Sequence, residues 1–247
     1  MDGLLHTPNT AGLNGALPAR KAVDTLIVSD VHLGSNVSRP DALLETLKQH
    51  TFRQLILLGD ILDDVDFHRL QRPHWNLLHY LRRLCLPDSG VKVVWVEGNH
   101  DRLLFRISRS FLGIDIHTRY QWTYQNRTFM ALHGHQFDTF LPRHPVVTEA
   151  ACSVYRAIQS LEGTPFRVSR FLKRRTKLWL EMSEHVGQRA LAYAKKRNVD
   201  HIFCGHTHQP FSSASGSVAY HNTGCWTDWP ATFITVGDYG IELNECP

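Results

Sequence analysis

Nowhere in the 247 residues do 18 apolar residues follow one another, so no membrane-spanning helix is expected. There is no C-x-x-C pair, and five cysteines are an odd number. Both features argue against a disulfide framework and for a reducing, cytoplasmic setting. Internal repeats and low-complexity tracts are absent. A composition of 43% hydrophobic and 20% charged residues excludes a disordered chain, a collagen and a coiled coil. Residues 1–22 lack an apolar stretch behind a basic start, so they read as a loose leader and not as a secretory signal. Residues 23–247 have the length of one domain with room for an insertion.

Histidine, by contrast, is abundant: 16 residues, several grouped with Asp, Asn and Gly. Imidazole is the commonest metal ligand in proteins, which directs attention to a metal site. The net charge of +4 is unevenly spread. Between Phe140 and Asn198 there are 12 Lys and Arg against 4 Asp and Glu, whereas the rest of the chain has 15 against 19. Such asymmetry points to a negatively charged substrate or partner for the basic segment.

Asp24–Ser29, Gln54–Leu58 and Val91–Val96 are short apolar runs that predict buried strands. Between them, Leu43, Leu44 and Leu47 predict a helix over 41–50 with Asp41 as its cap. Trp75, Leu78 and Leu81 predict a second helix over 75–84. Further strands are expected at Thr128–Leu132, His201–Cys204, Ser217–His221, Thr232–Val236 and Gly240–Leu243. The order is that of an α/β protein with a mixed sheet or two packed sheets. Val147, Ala151, Val154, Ile158 and Leu161 recur at helical spacing, Gly163 and Pro165 interrupt them, and a second helical stretch follows through residue 197. Residues 140–198 therefore read as a helical insertion, or cap, on the α/β body.

Five short motifs fall just after predicted strands, where α/β proteins place their sites. They are Ser29-Asp30-Val31-His32, Gly59-Asp60-Ile61-Leu62-Asp63, Gly98-Asn99-His100-Asp101, His133-Gly134 and Gly205-His206-Thr207-His208. A single D-x-H or G-D is more often a solvated turn. Five in this order, each behind an apolar strand, are not explained by turns. The glycines beside them (Gly34, Gly59, Gly98, Gly134, Gly205) are read as residues that let the backbone turn sharply.

The set D-x-H, G-D, G-N-H-[DE], H and G-H-x-H resembles the calcineurin-like metallophosphoesterase superfamily over residues 25–243. The resemblance implies a four-layer α-β-β-α sandwich with two divalent metal ions at the strand ends. Asp30, His32, Asp60 and His208 would hold one ion. Asp60 would bridge to the second, completed by Asn99, His133 and His206. Oxygen-plus-imidazole donors suit Mn first, with Fe or Zn as alternatives. One carboxylate can span two ions about 3.5–4 Å apart, the spacing of two-metal hydrolases. His100 would contact the phosphate or leaving group, and Asp63 would orient His100. The alternative for Asp63 is a plain loop carboxylate, with Asp64 beside it.

Within the superfamily, HG-x-QFD, the basic insertion, GHTH-x-P and NTG-x-W resemble the UDP-2,3-diacylglucosamine diphosphatase-like branch. That implies cleavage of a pyrophosphate in a lipid A precursor, with the cap over an acyl-chain groove and peripheral contact with the inner membrane surface. Arg170, Arg174 and Lys177 recur at four and three residues and are candidate contacts for the substrate's anionic groups, as is Asn99. Two positions depart from that branch: His100 stands where its lipid A enzymes have arginine, and His135 where they have aspartate. A nuclease or cyclic-nucleotide diesterase is the alternative enzyme. A scaffold that has lost catalysis is the alternative outside enzymes, and the intact set of seven ligands speaks against it. His135 and Asp138 are either groups behind the ligands or surface polarity. His221 and Asn222 line the site or form a turn. Cys204 and Cys225 read as buried small hydrophobes, and Trp226 and Trp229 as pocket rim or packing.

Overall fold

The computed structural model describes residues 20–101, 113–138 and 177–246. The leader up to residue 19 and most of the expected cap, including Arg170 and Arg174, lie outside the described residues. The first sheet is built from β1 (Lys21–Val28), β2 (His50–Leu58), β3 (Lys92–Val96), β4 (Ile116–His117), β10 (Ala231–Gly237) and β11 (Gly240–Cys246). Their order is β11-β10-β1-β2-β3-β4, with β1 to β4 parallel. The second sheet contains β5 (Tyr120–Tyr124), β6 (Arg127–Ala131), β7 (His201–Cys204), β8 (Phe211–Ser215) and β9 (Val218–Asn222), ordered β5-β6-β7-β9-β8. Here β6, β7 and β9 are parallel.

Side chains alternate faces along a strand, so a continuous apolar run supplies two cores at once. Leu26 and Val28 of β1, Leu55 and Leu57 of β2 and Trp95 of β3 enter an outer core with α1 (Pro40–Gln49) and α2 (Arg72–Leu84). Ile27, Ile56, Leu58, Val94 and Val96 point the other way and meet Phe129, Ala131 and Phe203 of the second sheet. Met130, Ile202, Cys204 and Tyr220 face outward again, against Val186, Ala190 and Ala194 of α3 (Lys177–Lys195). Helices, sheet, sheet and helix thus form the four-layer sandwich. Each fully buried Leu, Ile or Phe contributes roughly 1.5–3 kcal/mol through removal of apolar surface from water.

Three local expectations are corrected. The α1 N-cap is Arg39, with Pro40 opening the helix, and Asp41 lies in the first turn, where its charge complements the helix dipole. The buried face of α2 is His74, Leu77, Leu78 and Leu81, while Trp75 is 44% exposed and donates its indole N–H to the Leu70 carbonyl. The last stretch of the expected cap, α3, packs as the outer layer of the second sheet. Lys177 is its first residue. No helix among the described residues is long and apolar enough to cross a membrane.

Candidate metal centre

The five motifs follow β1, β2, β3, β6 and β7, and backbone hydrogen bonds tie their loops into one floor. Asp30 N–H donates to the Gly59 carbonyl at 3.0 Å, His32 N–H to the Asp60 carbonyl at 3.0 Å, and Gly205 N–H to the His133 carbonyl at 2.9 Å. The two sheets are stitched by Asp30, whose Oδ2 accepts from the Ser29 hydroxyl and from the His206 N–H. Asp30, His32, Asp60, His206 and His208 all hold positive φ, between 48° and 65°. Left-handed backbone is costly for residues with a Cβ, and it concentrates where side chains must be aimed. Two expected turn glycines serve another purpose. Gly98 and Gly205 lack positive φ, but a Cβ on Gly98 would overlap the Asp60 carboxylate and one on Gly205 would overlap Asp30.

Six donor side chains converge above this floor. Asp30 Oδ1 lies 3.1 Å from His208 Nε2 and 3.9 Å from both His32 Nε2 and His133 Nε2. Asp60 Oδ2 lies 3.3 Å from His133 Nε2 and 3.9 Å from His32 Nε2. Three groups have all ligand atoms within 4.8 Å of one another: Asp30, His32 and His208; His32, Asp60 and His100; Asp30, Asp60 and His133. Asp30, His32 and Asp60 are each shared by two groups, as overlapping cation positions require.

The donor chemistry fits metal ions. Asp30 Oδ1, His32 Nε2 and His133 Nε2 are buried without a hydrogen-bond partner, a costly state that a cation relieves. His133 Nδ1 lies 2.9 Å from the Leu58 carbonyl. A carbonyl only accepts, so Nδ1 carries a proton, and Nε2 is the atom whose lone pair a cation would take on displacing its proton. Burial opposes charge throughout, but the opposite partners outweigh it. His208 and His133 hold Asp30 down at about 2. His133 and His32 lower Asp60 as well. Asp60 and Asp30 push His133 up to about 10, and Asp63, Asp30 and Asp60 raise His32. These carboxylates thus favour the ionised form and His133 and His32 the protonated one, and ligation displaces the protons of those two rings.

The profile of the calcineurin-like phosphoesterase superfamily domain matches residues 24–237, nearly the whole chain. The chain belongs to that superfamily. Among solved structures, it is similar to Yfce, a phosphoesterase from E. coli (16% identity, TM-score 0.48, covering 90% of this chain and 99% of that one). It is also similar to an archaeal phosphodiesterase (13%, 0.47, 90% and 98%) and to wild-type Vps29 from Entamoeba histolytica complexed with zinc (13%, 0.45, 90% and 97%). No curated protein matches it.

Not every expected residue of this phosphoesterase domain joins the cluster. Asn99 stands exposed on the loop after β3. His206 is in none of the three groups, and its Nε2 is bound to Asp138 Oδ2 at 3.0 Å. Asp63 departs from the role of orienting His100 through its carboxylate. Its backbone carbonyl receives His100 Nδ1 at 2.6 Å. The carboxylate turns to Arg69, 2.8 Å away, and to His32 Nδ1 at 3.3 Å. The physical reason is the Arg69 cation, which also pairs with Asp64. Asn222 proves to be a buried prop: its amide donates to the Gly205 carbonyl and Thr207 hydroxyl and its oxygen accepts from Gly224 N–H. His221 lies in the seam between the sheets, stacked on Phe203. Trp226 is core, whereas Trp229 is half-exposed beneath the Arg39 guanidinium. Cys204 and Cys225 are fully buried, with thiol pKa values pushed up by burial.

One organising residue was overlooked in the sequence. Asp101, the fourth residue of Gly98-Asn99-His100-Asp101, is fully buried. Its Oδ1 accepts from Ile61 N–H at 3.2 Å, and its Oδ2 from Gly98 N–H at 3.0 Å and Trp95 Nε1 at 3.2 Å. It joins the loop after β2 to the loop after β3. Burial and the nearby Asp60 charge raise it to about 6. Its signal was an aspartate closing the Gly98-Asn99-His100-Asp101 motif without a role of its own.

Proposed function

We propose that this chain is a hydrolase that cleaves a pyrophosphate or phosphodiester bond with two divalent cations, manganese first among them, held by Asp30, His32, Asp60, Asn99, His133, His206 and His208. The observation that carries the reading is the pair of donor groups Asp30–His32–His208 and Asp30–Asp60–His133, which overlap at Asp30. A metal pair there supplies an activated water and neutralises charge on the phosphoryl oxygens. The protein's own contribution is positioning. His100 donates a hydrogen bond from Nδ1–H to the Asp63 carbonyl, which turns Nε2 of an exposed ring outward, where in the protonated form it would donate to a phosphate or leaving oxygen. Asp63 and Arg69 hold His32 from behind.

The substrate class we propose is a UDP-2,3-diacylglucosamine-type lipid A precursor, reached at the cytoplasmic membrane surface, with Arg170, Arg174 and Lys177 of the basic segment on its anionic groups. The test is purified full-length protein with manganese, assayed on UDP-diacylglucosamine beside aryl phosphodiesters, cyclic nucleotides and DNA. Release of UMP supports the substrate. Turnover of the others without UMP removes the lipid substrate but keeps the hydrolase. No manganese uptake and no turnover removes the hydrolase and leaves a scaffold. His100→Ala is expected to cut turnover about 100-fold or more while metal content stays at the wild-type value, since general acid catalysis contributes about 10²–10⁴-fold. Full activity in that variant would remove His100 from the mechanism.

A further inference from the structure

The turn after β6 gives His133 to the cluster and also carries Asp138. This carboxylate is 5% exposed, and its Oδ2 lies 3.0 Å from His206 Nε2. It belongs to none of the groups whose ligand atoms converge within 4.8 Å. The turn is firmly built. Phe137 N–H donates to the Gly134 carbonyl at 2.9 Å and Asp138 N–H to the His135 carbonyl at 3.2 Å. The Phe137 ring is buried against Tyr193 of α3, and Arg189 of the same helix donates to the Phe137 carbonyl. On the other side, His206 is fixed by its backbone N–H on Asp30 Oδ2 at 2.9 Å.

An ionised carboxylate only accepts hydrogen bonds, so the nitrogen facing Asp138 must carry a proton. A neutral imidazole then has its lone pair on the other nitrogen. We propose that Asp138 is the positioning residue for His206, holding the proton on Nε2 and reserving Nδ1 for a cation. This deepens the proposed function and rests on it. The second cation would therefore depend on a carboxylate that does not touch it, whereas the first, on Asp30, His32 and His208, would not. Loss of such an outer partner costs about 10–100-fold in metal affinity.

The experiment uses full-length protein as wild type, Asp138→Ala and Asp138→Asn, and reads manganese binding by titration. Wild type is expected to take up two ions. Asp138→Ala is expected to bind the first with unchanged affinity and the second about 10–100-fold more weakly. Asp138→Asn keeps an oxygen that accepts from Nε2–H and is expected to recover most of that loss. Imidazole nitrogen shifts in the metal-free proteins, with His206 assigned by its loss in His206→Gln, should show the Nε2–H tautomer in wild type and Asp138→Asn. An Nδ1–H tautomer in wild type overturns the proposal even should Asp138→Ala fail to fold. Unchanged second-ion affinity in Asp138→Ala overturns it too, as does equal loss in both variants, which would mark Asp138 as a direct ligand. Wild type that binds no second ion overturns this inference and the dinuclear reading together.

Discussion

A single buried carboxylate, Asp101, holds two of the five motif loops in register. It satisfies the Ile61 and Gly98 amides and the Trp95 indole, none of which has water to turn to. Asp101→Ala strands these donors and is expected to destabilise the protein by roughly 3 kcal/mol, since each buried donor left unmet costs about 1–3 kcal/mol. A fall in the urea midpoint checks this, and manganese affinity should fall with it because Asp60 and His100 lose their shared anchor. Asp101→Asn keeps an acceptor oxygen and should lose less. An unchanged midpoint in Asp101→Ala would mean that those donors find other partners. The converging donors Asp30, His32, Asp60, His133 and His208 were legible in the sequence, because each motif is short and contiguous and sits at a strand end. The residues behind them were less so. The contacts from Asp138 to His206 and from Asn222 to Gly205 join distant stretches of chain, and Asp63 could not be divided between its carbonyl and its carboxylate before Arg69 was placed.

Elements were legible where apolar runs are buried on both faces. The strands expected at 54–58, 91–96 and 201–204 coincide with the buried parts of β2, β3 and β7. β5 and β8 were not foreseen. β5 (YQWTY) turns Tyr120, Trp122 and Tyr124 toward the inter-sheet core and alternates them with exposed Gln121 and Thr123, a period-two signal hidden by its polar half. β8 (FSSAS) is an edge strand, mostly exposed, and only its pairing with β9 makes it a strand. The packing of α3 on the second sheet depends on Gly187. A Cβ there would lie 3.2 Å from the Phe211 ring and 3.3 Å from the Tyr220 ring. Gly187→Leu is expected to destabilise by about 1–3 kcal/mol through overpacking. Gly187→Ala should be near neutral, because a helix-propensity gain of up to about 1 kcal/mol offsets the tight contact. Thermal unfolding of both variants, with metal stoichiometry kept at the wild-type value, checks the claim. An undisturbed Gly187→Leu would mean that the helix–sheet contact yields without cost.

At the scale of the whole molecule, the layers were legible as α/β with packed sheets, but what lies between the sheets was not. The seam between β6, β7 and β9 holds a chain of polar groups inside an aromatic stack. Arg127 reaches His201 Nε2 at 3.2 Å, His201 Nδ1 lies 3.1 Å from His221 Nε2, and His221 Nδ1 lies 2.9 Å from the Ser212 hydroxyl. An arginine only donates, so the protons run in one direction and both imidazoles are neutral. His201 stacks on Phe129, and His221 on Phe203. Burial, and then the neighbouring His201, lower His221 to about 4; burial and Arg127 lower His201 as well. For a base with a depressed folded pKa, the unfolded chain binds the proton first. The contribution to stability is therefore complete above about pH 6.5 and is lost as pH falls toward 4. For His221 this amounts to roughly 3 kcal/mol, at about 1.4 kcal/mol per pKa unit. His221→Phe keeps the stacking surface and removes the titration. It should be less stable than wild type at pH 7.5, because the His201 N–H loses its acceptor, yet its urea midpoint should fall less steeply between pH 6.5 and 4. Parallel slopes for the two proteins over that interval would place the acid sensitivity elsewhere in the sandwich.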